Sequence, residues 1–138
     1  MRLQDLTFVG FEQSWSAAFA AASAWIPSLS GSFDSRVVQL RGRELLAAFI
    51  LVAMNRHGTV ATMETVRDLI DEEMSKPGSI LTELVHDKTD QVREVSIACL
   101  AARGCWFGDA VPFLALNIQD DRTYALNGSW PKVNMSAA

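Results

Sequence analysis

Along the chain, segments whose apolar residues recur every three or four positions alternate with short links rich in glycine, serine and proline. That period is helical. Phe11, Trp15, Phe19, Ala22, Trp25 and Ile26 form one stripe, which predicts a first helix over 11–26 that Pro27 helps to end. "SLSGS" at 28–32 is a turn. A second helix is predicted from Phe33 to about His57, with Ser32 or Asp34 as its cap and Gly58 as its stop. Its first half is polar on one side, through Arg36, Gln39, Arg41, Arg43 and Glu44. Its second half contains ten consecutive apolar residues, Leu45 to Met54. A helix with no polar face has to be enclosed by other helices or by a partner. Ten residues are half of the ~20 that a membrane-spanning helix needs, so the run is too short to span.

Val66, Leu69 and Ile70 make a narrow stripe on a third helix, from Thr62 to about Met74, which leaves Glu64, Arg67, Asp68, Asp71 and Glu72 facing water. "SKPGS" breaks it. Ser79 is the predicted cap of a short fourth helix that runs through Val85 with Ile80, Leu81, Leu84 and Val85 turned inward. A fifth helix is predicted from about Thr89 to Phe107, on the stripe Val92, Val95, Cys99, Ala102 and Trp106, with Gly104 as a place for its last turn to kink. Asp109 is the predicted cap of one more short helix, "AVPFLALN", in which Pro112 falls in the tolerated first turn. From about 119 onward the pattern loses its period and a loosely structured tail is expected, pinned in part by Trp130. No long strand pattern or internal repeat appears. The expected architecture is all-α: one compact single-domain bundle of about six helices around a buried central helix at about 33–57.

A chain of 138 residues is long enough to bury a real core as one domain. Its net charge of −4 is unevenly distributed. Residues 61–98 hold nine acidic and four basic groups, whereas 1–60 hold four and five and 99–138 hold three of each. This argues against a nucleic-acid surface, which needs clustered Lys and Arg to displace phosphate counterions. It fits a basic protein partner better, with a merely solvated acidic face as the plain alternative. Cys99 and Cys105 lie six apart and point to separate helix faces, so an intrahelical disulfide is disfavoured, and reduced, buried thiols in a cytoplasmic setting are the default. The alanine-rich "SAAFAAASAW" is not read as a signal peptide, because Asp5 and Glu12 precede it and only Arg2 supplies a positive charge.

Candidate chemistry is sparse. His57 falls at the end of the second helix, where its side chain suits the last carbonyls and the helix dipole. His86 has Asp87 beside it and Asp90 four residues on, a spacing that matches no strong metal motif, and a helix-end role is the simpler reading. Cys99 reads as core and Cys105 as more accessible, without a nearby histidine in sequence to activate it. Asp71, Glu72 and Glu73 are consecutive, so they project in different directions and do not form a catalytic carboxylate pair. Neither G-x-x-x-x-G-K-[ST] nor G-x-G-x-x-G occurs. No catalytic residue, metal or cofactor is expected.

One stretch resembles a known family. "SFDSRVVQLRGRELLAAFILVAMNRHGTVATMETVRDLIDE" (32–72) is similar to the all-α domain of the coupling proteins of type IV secretion systems. In that family an aromatic near a helix start leads to an "A-x-x-L-L-x-A-L-I" run, then a short polar link and a "T-L-x-x-V-x-x-L-L" helix. Phe33, "GRELLAAFI" (42–50) and "TMETVRDLI" (62–70) stand in the corresponding places. The resemblance covers about 40 residues, rests on apolar patterns and fades after Gly104, and the family's Walker motifs are absent. It implies a substrate- or adaptor-recognition domain that binds transferred proteins, often through basic tails, and that works in the cytoplasm or at the inner-membrane face of a larger complex. The expected partner-binding residues are Glu64, Asp68, Asp71, Glu72 and Glu73, beside an adjoining apolar groove. The other reading is a small helical inhibitor or immunity-type protein from a mobile element or phage, with one protein partner.

Lacking a phosphate cradle, the purified chain is expected neither to hydrolyse ATP nor to bind it tightly. Saturable micromolar nucleotide binding in a titration would reopen the enzyme class.

Overall fold

The structure, a computed structural model, describes residues 14–26, 33–58, 62–105 and 109–118. Among these residues there are six helices and no strand: α1 (Trp15–Trp25), α2 (Phe33–His57), α3 (Met63–Ser75), α4 (Leu81–Leu84), α5 (Asp90–Ala101) and α6 (Ala110–Ile118). The predicted all-α bundle is therefore observed. Ser32, Phe11, Trp106, Phe107, Trp130 and the tail lie outside the described residues; α2 begins at Phe33, so Asp34 falls inside the helix and is not its cap.

α2 is the axis. Its 25 residues extend for roughly 37 Å at 1.5 Å per residue. Every side chain from Leu45 to Met54 is buried, the most exposed at 6%. α1, α3, α5 and α6 all pack on it, so the apolar run is enclosed by the chain itself. Gly58, at φ +60°, turns the backbone into the left-handed region that glycine adopts without strain, and the helix stops there.

The remaining elements start where side chains satisfy the exposed amides. Ser14 Oγ accepts from the Ala17 N–H at 3.2 Å and opens α1. The seat of α1 on the core differs from the predicted stripe. Ala18, Ala21, Ala22 and Trp25 are buried, while Trp15 and Phe19 stack on each other at the flank, 6.0 Å between ring centroids. Small residues at the contact let the two backbones approach, and the aromatics close over the edge. Arg43 reaches across from α2 and donates from Nε to the Ile26 carbonyl at 2.7 Å, which ties the end of α1 to the central helix.

α3 begins with a capping box: Thr62 Oγ1 accepts from the Thr65 N–H, and Thr65 Oγ1 accepts from the Thr62 N–H. Two expectations about the second half of the chain are corrected. Ser79 does not cap α4; its hydroxyl donates to the Glu72 carbonyl instead, and the cap comes from Glu73. α5 does not kink at Gly104 and continue to Phe107. It ends at Ala101, and Gly104 at φ +83° serves as a left-handed turn residue beyond the helix.

α6 sits against α2 and α3. A Cβ placed on Gly42 of α2 would fall 2.7 Å from two carbons of the Phe113 ring, so this glycine is the notch into which α6 settles.

Phe49 is among the largest fully buried side chains. Its replacement by Ala is expected to cost roughly 3–5 kcal/mol, measured as a shift in the denaturant midpoint at unchanged slope. A loss below about 1 kcal/mol would contradict the enclosure of α2.

Candidate partner-binding surface

α3 is amphipathic in the simplest sense. Met63, Val66, Leu69 and Ile70 are buried, and the opposite side carries Glu64, Asp68, Asp71 and Glu72. Spacings of four, three and one put those four carboxylates on one broad face. Asp68, Asp71 and Glu72 are exposed, and Glu64 is partly exposed. Among the described residues a single cation answers them: Arg67 Nη2 lies 3.5 Å from Glu64 Oε1. The face therefore presents four carboxylates and one guanidinium to solvent.

Glu73 is the exception, and its expected place in the partner surface is corrected. It is 0% exposed. Position 73 continues the Val66, Leu69, Ile70 stripe by a further three residues, so helical geometry turns it into the core. There its Oε1 accepts from the N–H groups of Ile80 (2.9 Å) and Leu81 (3.1 Å), and its Oε2 accepts from Gly78 N–H (2.5 Å). These are the otherwise orphaned amides at the start of α4. Arg103 Nη1 supplies the opposite charge to the same Oε2 at 3.1 Å. Arg103 also points its Nε at Asp109 Oδ2, 3.5 Å away. Asp109 in turn accepts from Gly104 N–H and from Val111 N–H, both at 3.1 Å, and so caps α6 as its position in the sequence predicts. One arginine thus links the end of α3 and the cap of α4 to the start of α6.

A depression at the end of α3 is lined by Lys76, Pro77, Ser79, Thr82, Glu83 and His86. The apolar contribution next to the carboxylates is Met74 on α3 itself, 40% exposed and three residues from Asp71. A second depression lies between the end of α2 and the link after α4, with Val52, Arg56, Leu84, His86 and Lys88 around it. Arg56 spans its edge to Glu83 at 2.7 Å.

His57 is exposed at the end of α2, and His86 is exposed just beyond α4. The Asp87 carboxylate accepts from Thr89 N–H at 3.0 Å and shapes the turn into α5. Among the described residues no group of three or more His, Cys, Asp or Glu is placed to hold a metal ion. No described helix is long and apolar enough to cross a membrane. Both cysteines are free; Cys99 is buried and Cys105 exposed, as their separate readings as core and accessible predict, while the general default of buried thiols fails at Cys105. Burial pushes the Cys99 thiol up to about 12, against which the Arg41 guanidinium acts only weakly.

Comparison of the chain with protein-family models, with curated proteins and with solved structures gives no match. The residues themselves therefore carry the functional argument.

Two outcomes separate the inward from the outward carboxylates. Glu73→Ala strips two buried amides, the part-buried Gly78 amide and Arg103 of their acceptor and is expected to cost roughly 3–5 kcal/mol. Asp68→Ala or Glu72→Ala is expected to change stability by less than about 0.5 kcal/mol. Chemical denaturation of the three variants checks this, and similar losses for all would contradict the assignment.

The cysteines give a further expected outcome. A thiol reagent at pH 8 should label one cysteine per native chain, Cys105, and both after unfolding. Because the Cys99 thiol is raised in the folded state, the unfolded chain loses that proton first as pH rises above the ordinary thiol range. Stability contributed by the neutral thiol is therefore full below that range and is lost as pH climbs towards 12.

Proposed function

We propose that the chain is a non-catalytic protein-recognition domain whose acidic α3 face engages a basic segment of its partner. The observation that carries this reading is the outward cluster of Glu64, Asp68, Asp71 and Glu72, with Arg67 as its one paired cation among the described residues. Charges on that face lie within a Debye length of a docked tail, ~8 Å at physiological ionic strength, so they act together on its approach. Met74 at the edge of the face offers an apolar anchor. The resemblance of residues 32–72 to the all-α domain of type IV secretion coupling proteins supplies a partner class: a transferred substrate or its adaptor, held through a basic or disordered tail.

Electrostatic contacts of this exposed kind steer encounter more than they hold the complex. Reversing Asp68 and Glu72 to Lys is expected to slow association with a lysine- and arginine-rich peptide by about tenfold at low salt and by less at moderate salt, with dissociation changed far less. The stability of the fold should stay within about 0.5 kcal/mol of the parent. Surface plasmon resonance on the parent and the double variant at two salt concentrations measures both rates. Equal association rates at both salts would sink the acidic-face reading.

A further inference from the structure

We propose that the hollows along the outer side of α4 form one continuous groove that binds an acidic, extended peptide segment.

The continuity comes from shared walls. Three depressions follow one another, and each has residues in common with the next. The one at the end of α3 shares Glu83 and His86 with the one beside the end of α2. That one shares Asn55 and Lys88 with a third, where Ser14 and Trp15 at the start of α1 meet Leu51 and Thr89. The path therefore runs from Lys76 past His86 and Lys88 to Trp15. Its middle hollow holds about 480 Å³, within the range of ligand sites. Because the hollows open into one another, they suit a chain laid along them better than a compact molecule.

The charge along the path decides the class of occupant. Two carboxylates line the middle hollow, and both are engaged: Glu83 with Arg56 at 2.7 Å, and Asp87 with the Thr89 N–H at 3.0 Å. Asp90, two residues beyond Lys88, is taken by Arg93. Lys76 and Lys88 are exposed, and among the described residues neither ammonium meets a carboxylate. His86 stands between them with ring nitrogens open to a hydrogen bond. The groove thus carries two unmatched positive charges within 61–98, the segment in which acidic groups outnumber basic ones. Charges so placed attract a carboxylate-bearing chain and repel the basic segment proposed for α3. The floor is apolar, made by Leu51, Val52 and Leu84 with Trp15 at the far end. An extended chain turns alternate side chains to opposite sides, so its acids reach the lysines while its apolar residues rest on that floor.

Fluorescence anisotropy on the full chain, with a labelled glutamate-rich peptide that carries leucines between its acids, tests this. Saturable binding is expected, weakened about fivefold by Lys76→Glu and by Lys88→Glu. Arg36→Glu is the control. It makes the same change in net charge at an exposed site near the other end of α2, roughly 30 Å from Arg56. Its effect is expected to stay below about twofold. On titration with the peptide, backbone amide NMR shifts should move within 14–15, 51–56 and 76–89 and stay unchanged in 36–41 and 64–71. Absence of saturable binding, or an equal loss in all three variants, would overturn the groove. So would shifts centred on 36–41 or 64–71.

Discussion

A helical run without a polar side sets the terms for the whole domain. Leu45 to Met54 exposes no face that water would tolerate, and no second molecule is needed to cover it. α1, α3, α5 and α6 do so from different directions, and each is amphipathic or nearly apolar to the degree that its position demands. α6, which faces both α2 and α3, is apolar along most of its length. α3, with one side in the core and one in solvent, divides sharply. At roughly 1.5–3 kcal/mol per large buried side chain, the enclosure of this run is a large favourable term in the fold.

Covering α2 creates a second problem that apolar packing cannot solve. The turn between α3 and α4 carries its amide groups into the interior, where an unpaired donor costs about 1–3 kcal/mol. Glu73 answers this with one carboxylate, and Arg103 answers the carboxylate. A buried pair of this kind gives little net stability compared with well-packed apolar side chains, because both ions lose their hydration. Its value lies in direction: only one arrangement of α3, α4, α5 and α6 satisfies all the partners at once. The bridge joins residues just beyond the end of α5 to the cap of α6.

The parts of the fold that depend on period and punctuation were legible in the sequence. α2 could be bounded at Gly58, and α3 at Thr62, because a left-handed glycine and a capping threonine are local signals. Four of the five acidic residues on α3 also follow from period alone, since they lie opposite Val66, Leu69 and Ile70. Glu73 carried the same period information, one step further along the stripe, but its charge outweighed its position in the reading. The α5 boundary was lost for a related reason. Cys99, Ala102 and Trp106 continue the helical spacing through Gly104, so the period hides the turn that Gly104 makes at φ +83° and that Asp109 holds. On α1 the stripe was correct in direction, yet period cannot say whether alanines or aromatics make the closest approach. Contacts between residues distant in the chain, such as Glu73 with Arg103, leave no local trace.

The division of labour within α3 bears on why its outer face is acidic at all. The fold uses Glu73 and has no structural need for Asp68, Asp71 or Glu72. These three do not hold the bundle together, and they oppose the helix that carries them. Glu64 with Asp68, Asp68 with Asp71 and Asp68 with Glu72 are like charges at spacings of three or four, each costing a few tenths of a kcal/mol. Asp71 and Glu72 lie towards the C-terminal end of α3, where the helix dipole favours cations, and the last turn has no basic residue. Among the described residues the Glu64–Arg67 pair relieves part of this, at a spacing where helix pairs contribute about 0.2–0.5 kcal/mol. The proposed role of this face accounts for a cost that the fold itself does not require. A basic partner segment would remove the repulsion on docking, so the same carboxylates that weaken the free helix would favour the complex.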